Sequence, residues 1–431
     1  MKFLFNFIFY IFFITSSYAE SNLEFFIESA FKNNLKLNAE RKNHKSIKQN
    51  LNISRSEFLP SISLSTSQSS SQSTNRTNKN GVGLADSNLD TEETSISIDQ
   101  KIFQGFKGYN TLKKSELEVK QADFKLRQAE QQTILDTVSA YFDLIFKTKN
   151  EKFNISNINL FERQVESDSA RLQKGEITLT DLAQSESSLA GANAKLIKAK
   201  TELLASKMNF ERVTREKSPN LINTNEKINI DLPNTLQEAL SIAKLNNSNL
   251  LIAKLDFQIA EKEFNIEKSR LAPSASLNYS KSENKDYSST VDELDQETVK
   301  ATISWPIIKG GENISSIKKS SLKKQRSLLI SRDAENLVIS ETTNAWSKYQ
   351  SSESVLKATE SQLKAAEIAN EGITLEYDSG NTRTTLEVIQ SRSLLLDSRI
   401  AFAKAERDFM ISQVKLAFQL GTLSTNSIKP L

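Results

Sequence analysis

Hydrophobic positions along this chain switch between two periods, and they do so in the same order twice. Leu23, Phe26, Ile27, Ala30 and Phe31 recur at helical spacing and predict a short amphipathic helix over Asn22–Asn34. A second helix is predicted from Leu35 to about Phe58, closed by Pro60. The period then drops to two in Ile62–Ser67, as in a strand with one apolar face. Gln68–Asp90, rich in Ser, Asn, Thr and Gly, predicts a solvated loop, and alternation resumes at Ser95–Asp99.

From about Tyr109 to Lys174 a helical pattern runs without Gly or Pro. At ~1.5 Å per residue it would be about 100 Å long, far beyond a globular helix. Ile177 to about Arg215 predicts its return partner. Leu182, Ser185, Leu189, Ala192, Leu196, Ala199, Leu203, Ser206 and Phe210 follow a 3,4 spacing. This is a coiled-coil seam with small residues interspersed, so the helices can approach closely.

The second half repeats the plan. Thr235–Lys244 and Ser248–Arg270 predict two helices, Ser274–Ser280 a strand, Lys281–Gln296 a polar loop, and Val299–Trp305 a strand. Long helices follow from about Ile314 to Asp378 and from Thr385 to about Leu420. Gly105 and Gly310, Ala140 and Ala345, and Gly175 and Gly380 each stand 205 positions apart. At 206 the seam reappears as Val388, Ser391, Leu395, Ser398, Phe402, Ala405, Phe409, Ser412 and Leu416. A glycine closing one helix, followed by Thr and an acid opening the next, marks the turn of an α-hairpin in each copy. The register predicts a duplicated protein: a first repeat over 20–215, a connector over 216–233, a second repeat over 234–420, and a tail over 421–431.

Composition narrows the functions. Apolar residues make up 38% of the chain, low for a compact globule, and Gly and Pro number only 11 and 6, which suits long helices. With 56 basic and 53 acidic residues the charge is nearly balanced, unlike a nucleic-acid binder. There is no Cys, so disulfides, thiolate catalysis, Cys-ligated metals and lipidation at an N-terminal Cys are excluded. The single His, His44, is read as a solvated surface residue. Nothing resembles a nucleophile–base pair, a phosphate loop or a metal cluster, so no enzyme, metal or cofactor is expected. Lys2, the apolar run Phe3–Ile14, and the small residues Ser17 and Ala19 read as a signal peptide over 1–19. No other run of about 18 apolar residues exists, so a membrane could be crossed only as a β-barrel.

Four alternating strands cannot close a barrel alone, and an open sheet in lipid would leave costly edges. Strands that enter lipid must therefore be shared between subunits. One face carries Ile62, Leu64, Ile96, Ile98, Leu277, Tyr279, Ile303 and Trp305, with Ala275, Val299 and Ala301; the other carries Ser, Thr, Asn, Asp and Lys. This fits an apolar-out, polar-in barrel. A soluble sheet packed on a core would show the same short alternation.

In order and duplication, several motifs resemble the TolC family of outer-membrane efflux and secretion channels. They are the two S-x-x-x-P-S-x-S-L transitions around Pro60 and Pro273, Gln100–Gly105, Trp305–Gly311, and the paired hairpin turns. The fold class is then mainly α with a small β part, a duplicated strand pair plus a long coiled-coil α-hairpin. The resemblance implies a homotrimer in which each subunit gives four strands to one 12-strand barrel in outer-membrane lipid. Their helices would form a periplasmic tunnel, docked on a periplasmic adaptor (membrane fusion) protein and an inner-membrane ABC or proton-driven transporter.

The resemblance also implies a gate at the periplasmic tips, opening like an iris, at Asp181, Tyr377, Arg383, Glu387 and Gln390. Members with a double acidic ring carry a second acid where Gln390 stands. Asp181 and Glu387 would equally serve as acids at helix N-termini. Gly175, Thr180, Gly380 and Thr384 match the tips where members meet adaptors, and turn geometry alone also accounts for them. The implied function is a passive exit duct for type I protein secretion or small-molecule efflux, with the missing Cys leaning towards secretion. A periplasmic adaptor would need β-rich lipoyl-like segments, and a coiled-coil stalk would not need four strands.

Overall fold

A computed structural model describes residues 23–219, 222–288, 290–379 and 383–430. The expected signal peptide and Gly380 lie outside the described residues. The elements run α1 Leu23–Asn33, α2 Leu35–Ser56, β1 Ser61–Ser73, β2 Arg76–Thr77, β3 Gly83–Leu84, β4 Ser87–Gln104, α3 Lys107–Gln173 and α4 Leu179–Thr214. Then come β5 Ile228–Asn229, α5 Leu236–Asn246, α6 Ser248–Lys268, β6 Ser274–Ser288, β7 Val291–Ser304, α7 Glu312–Asp378, α8 Thr385–Leu420 and β8 Lys429–Pro430. Helices α3 and α7 are both 67 residues long, and α4 and α8 both 36.

The chain divides into two compact units. One comprises residues 36–129 and 240–341. Its antiparallel sheet has the order β1-β4-β6-β7, so β1 and β7 are its edges. Register aligns like with like across all four strands. Ile62, Ile98, Tyr279 and Val299 form one row, and Ser63, Ser97, Ser280 and Thr298 the next. Since neighbouring residues on a strand point to opposite faces, these rows lie on opposite sides. A bulge at Lys101–Phe103 inserts one residue, which brings Phe103 opposite Ala275 and Ile303.

The strands are longer than their alternation. Polar loops expected over Gln68–Asp90 and Lys281–Gln296 are instead largely strand: β1 runs on to Ser73, β4 starts at Ser87, and β6 reaches Ser288. Hydroxyl and charged side chains occupy both faces there, so no period of two is visible. Backbone pairing and cross-strand contacts such as that from the Asn284 side-chain amide to Leu294 O at 3.1 Å carry the ladder instead.

The helices of this unit pair in the order of their strands. Ser54 on α2 meets Ser115 on α3 at 2.6 Å, Lys114 on α3 meets Glu263 on α6 at 2.9 Å, and Arg270 after α6 meets Glu312 on α7 at 3.3 Å. His44, read from sequence as solvated, packs against α3: Nε2 lies 2.6 Å from Asp123 Oδ1, and the side chain is 13% exposed.

The other unit comprises residues up to 35, 130–239 and 342–431. Its core packs α1, the later part of α3, α4, α8 and the connector around Phe26, Tyr141 and Phe210. The Phe26 and Phe210 rings meet edge-on at 4.8 Å, a favoured aromatic geometry. Tyr141 donates its hydroxyl to Glu226, whose other oxygen accepts from the Leu23 amide at 3.0 Å, fixing the start of α1. Burial pushes the Tyr141 phenol well above its ordinary range, and the Glu226 bond adds to this.

All nine seam residues of α4 are buried or half-buried, as are their nine counterparts on α8. The serines do more than save space. Ser185 donates to Asp168 at 2.6 Å, Ser206 to Asp143 at 3.1 Å and Ser391 to Asn370 at 3.1 Å, while Ser412 lies 2.7 Å from Ser352. Ser398 alone of the five has no partner for its hydroxyl among the described residues.

Candidate functional site

The site is the end of the second unit where α3 gives way to α4 and α7 to α8. Helix α3 stops because Gly175 adopts φ +75, a left-handed conformation that a side chain disfavours. The Glu176 amide donates back to Arg171 O at 3.0 Å and the Gly175 amide to Leu172 O at 2.9 Å, the Schellman closure. Helix α4 then opens on a capping box. The Asp181 amide donates to Thr178 Oγ1 at 3.3 Å, and Asp181 Oδ2 accepts from the Thr178 amide at 2.9 Å. Thr180, expected at the tip, is exposed within the first turn; the capping residue is Thr178.

The opening of α8 repeats that of α4. Thr384 caps α8, and Glu387 Oε2 accepts from the Thr384 amide at 2.8 Å. Arg383 adds a clamp: its Nε lies 2.6 Å from Glu376 and its Nη1 3.0 Å from Glu387. These hydrogen bonds, the one donated to Glu376 first, raise the Arg383 guanidinium above its ordinary value. Bonds from the Thr384 amide, then from Arg383 and the Thr384 hydroxyl, hold the Glu387 carboxyl below its own. The Asp181 carboxyl is lowered likewise, by the Thr178 hydroxyl and amide.

Of the expected gate residues, the structure brings Arg383 and Glu387 together. Among the described residues the Asp181 carboxylate accepts from Thr178 alone, and Gln390 is exposed. Tyr377 belongs to a different cluster, buried among residues that periodicity did not single out. Its hydroxyl donates to Asp168 Oδ1 at 2.8 Å and lies 3.1 Å from Thr385 Oγ1 and 3.3 Å from Gln164 Nε2. Gln164 also donates to Asp168 Oδ1 at 2.9 Å, and Arg171 stacks over the Tyr377 ring at 4.5 Å. Burial raises the Tyr377 phenol. Arg392 donates to Leu160 O at 3.1 Å, and its own burial lowers its guanidinium against the pull of Asp378 and Asp168.

A signal for this cluster was present. Stepping 3 and then 4 residues on from the buried Phe161 reaches Gln164 and Asp168, two polar residues at helical spacing on the same face. The arrangement is a set of polar links among helix ends. What it can do is hold four helix ends together through polar links of unequal burial, weak outside and strong inside. Among the described residues no group of three or more His, Cys, Asp or Glu could hold a metal ion.

The sheet supplies a second kind of site. Ile62, Leu64, Ile303 and Trp305 are well exposed on its apolar side, Ile96 and Leu277 less so, and Ile98 and Tyr279 are half-buried. No described helix is long and apolar enough to cross a membrane.

Comparison with known proteins agrees with these features. The model of the outer membrane efflux protein family matches residues 26–214 and 239–422. The chain is 25% identical to the outer membrane efflux protein BepC of Brucella suis biovar 1 over 400 residues, covering 93% of this chain and 85% of that one. It is 22% identical to the outer membrane protein TolC of Escherichia coli over 396 residues, covering 89% and 78%. Among solved structures, the Campylobacter jejuni CmeC outer membrane channel superposes with a TM-score of 0.82 at 17% identity, covering 94% of this chain and 88% of that one.

Proposed function

The chain belongs to the outer membrane efflux protein family, and on that premise we propose that it works as a passive exit duct. Members of the family are transport channels, and the chain resides in the Gram-negative outer membrane with its helical tunnel in the periplasm. Three copies each contribute the sheet β1-β4-β6-β7 to one 12-strand barrel. The observation that carries this reading is the sheet itself. It has one exposed, largely apolar face, and among the described residues its edges β1 and β7 have no pairing partner. Each unpaired backbone group left in lipid costs several kcal/mol, so neighbouring copies must close the ring.

At the periplasmic end, the helix tips close the duct and part like an iris. Asp181, Tyr377, Arg383, Glu387 and Gln390 form the gate, with Glu387 repeated by threefold symmetry as a charged ring. The turns at Gly175, Thr180, Gly380 and Thr384 meet a periplasmic adaptor, which joins the duct to an inner-membrane ABC or proton-driven transporter. The cargo is a protein of type I secretion, small molecules, or both. The exposed pairs of Arg383 support a breakable closure, since such pairs are weak and screened by salt.

Single-channel conductance of the purified protein in planar bilayers tests this, with Arg383→Ala beside the wild type. A small, steady wild-type conductance that rises in the variant is the expected result. Conductance untouched by the substitution would keep the duct and remove the gate from this tip. Absence of channels from well-folded protein would overturn the duct and favour an adaptor or stalk.

A further inference from the structure

The opening of α7 carries an unbalanced charge. Over 313–332 it has Lys318, Lys319, Lys323, Lys324, Arg326 and Arg332 and no acid. The repeat 205 positions earlier supplies an internal control: 108–127 on α3 has five basic residues but also Glu116, Glu118 and Asp123. Those acids are in use. Glu116 lies 2.9 Å from Lys113, Glu118 3.4 Å from Lys114, and Asp123 2.6 Å from His44. At the matching positions α7 has Ser321, Lys323 and Leu328, and among the described residues none of its six basic side chains has an ion-pair partner.

Lys319 and Lys323 stand four residues apart, hence on one face of the helix. Both are exposed, and both line a cleft of about 360 Å³ that α7 shares with α3 and α6. Lys114 and Arg270 line it too, but Glu263 meets Lys114 at 2.9 Å and Glu267 meets Arg270 at 2.8 Å. Two ammonium groups are left to seek an anion there. We propose that this cleft binds the phosphate of an anionic phospholipid from the periplasmic leaflet of the outer membrane. The proposal rests on the barrel reading above, which puts lipid beside the sheet.

The neighbouring surface selects a lipid phosphate over a free one. Strand β7 ends at Ser304, and the junction leading to Glu312 exposes Trp305, Ile307 and Ile308, the last at 87%. The Trp305 indole donates to Leu271 O at 3.0 Å, next to Arg270 in the cleft wall. Lys319 lies seven residues into α7, about 11 Å along its axis. The headgroup layer is roughly 5–8 Å deep, and a lysine stem that follows the apolar surface brings its ammonium the remaining distance. Acyl chains packed on Trp305, Ile307 and Ile308 would hold a phosphate at this height, so junction and cleft bind one molecule.

The test is quenching of Trp305 by brominated lipids, with the full-length protein reconstituted in phosphatidylcholine vesicles. The chain has two tryptophans, and Trp346 is only 6% exposed, so a Trp346→Phe background leaves Trp305 as the sole reporter. Brominated phosphatidylglycerol should displace phosphatidylcholine from this site with a preference of roughly twentyfold. Lys319→Gln and Lys323→Gln should each cut the preference about fivefold, the effect of one lysine near an anionic surface, and together bring it near parity. Lys113→Gln, at the balanced position on α3, should leave it unchanged. Preference that survives the Lys319 and Lys323 substitutions, or falls equally with Lys113→Gln, would overturn the cleft. Loss of preference with inorganic phosphate, but not with chloride of equal ionic strength, would assign the cleft to a free anion and overturn the lipid. Quenching by both lipids without preference would leave the barrel standing and sink the cleft alone. No quenching by either lipid would sink both.

Discussion

Ser206 on α4 donates its hydroxyl to Asp143 on α3 at 3.1 Å, although 63 residues separate them. Small seam residues in this protein thus hold the helices by hydrogen bonds as well as by close approach. The seam can be tested where the bonding differs. Ser412→Ala removes a buried partner of Ser352 and should cost about 1 kcal/mol, the net worth of one such bond. Ser398→Ala removes a buried hydroxyl without a partner and should be neutral or stabilising. Urea unfolding of the two variants checks the contrast; equal losses would contradict it.

Glycine positions separate strain from contact. At Gly105, φ is +59, and a Cβ would lie 2.5 Å from Ala272 Cβ and 2.7 Å from Ser269 O. At Gly175, φ is +75 and the space is open. Gly175→Ala should cost only the left-handed penalty, about 1–2 kcal/mol. Gly105→Ala adds a clash with backbone and should cost clearly more. Denaturant midpoints decide; equal midpoints would mean that the junction between β4 and α3 yields.

Charge on the two faces of the sheet should have unequal effects. Ile62 lies in the apolar row with Ile98, Tyr279 and Val299, and Ser63 in the polar row with Ser97. Ile62→Arg should destabilise the membrane-inserted protein by about 2–4 kcal/mol if the row sits near mid-bilayer. In the proposed barrel Ser63 would face the lumen, so Ser63→Arg should instead alter conductance and ion selectivity. Refolding into lipid vesicles measures the first and bilayer recording the second. A Ser63→Arg penalty as large as that of Ile62→Arg would overturn the assignment of faces.

The tip should weaken in acid. Asp181 and Glu387 are held below their ordinary carboxylate values by their caps, with Arg383 adding to Glu387. A carboxyl lowered on folding contributes stability above its unfolded pKa and loses it as pH falls through the folded value. The caps of α4 and α8 should therefore hold at neutral pH and fray progressively below about pH 4. Amide hydrogen exchange of the first turns of α4 and α8 reads this directly. Thr178→Ala should bring the same fraying of α4 to neutral pH, at about 1 kcal/mol. Exchange that is flat with pH in the wild type would remove the caps from any role in the tip's stability.

Much of this architecture is legible in local pattern. Helices α3, α4, α7 and α8 were readable to within about two residues at their ends, because an unbroken 3.6 period and a capped turn are short-range signals. The seam was readable for the same reason. The outer parts of β1, β4, β6 and β7 were not, because serines, threonines and charges on both faces leave no alternation for a period to reveal. Thr178 was not singled out as the cap of α4, since the choice between neighbouring hydroxyls depends on which one turns towards the Asp181 amide.

Periodicity and spacing alone establish the helices and the inner strand segments, that the plan occurs twice, and which side of each inner strand segment is apolar. These depend only on neighbours within a turn or a pleat. The order β1-β4-β6-β7, the pairing of half-buried His44 with exposed Asp123, and the burial of Asp168 beneath Tyr377 needed the folded chain. Asp168 and Tyr377 are 209 residues apart, and no local rule says which donor a lone acid on a seam will meet. Packing brings them together and excludes water, and that exclusion turns an ordinary surface residue type into a link strong enough to matter.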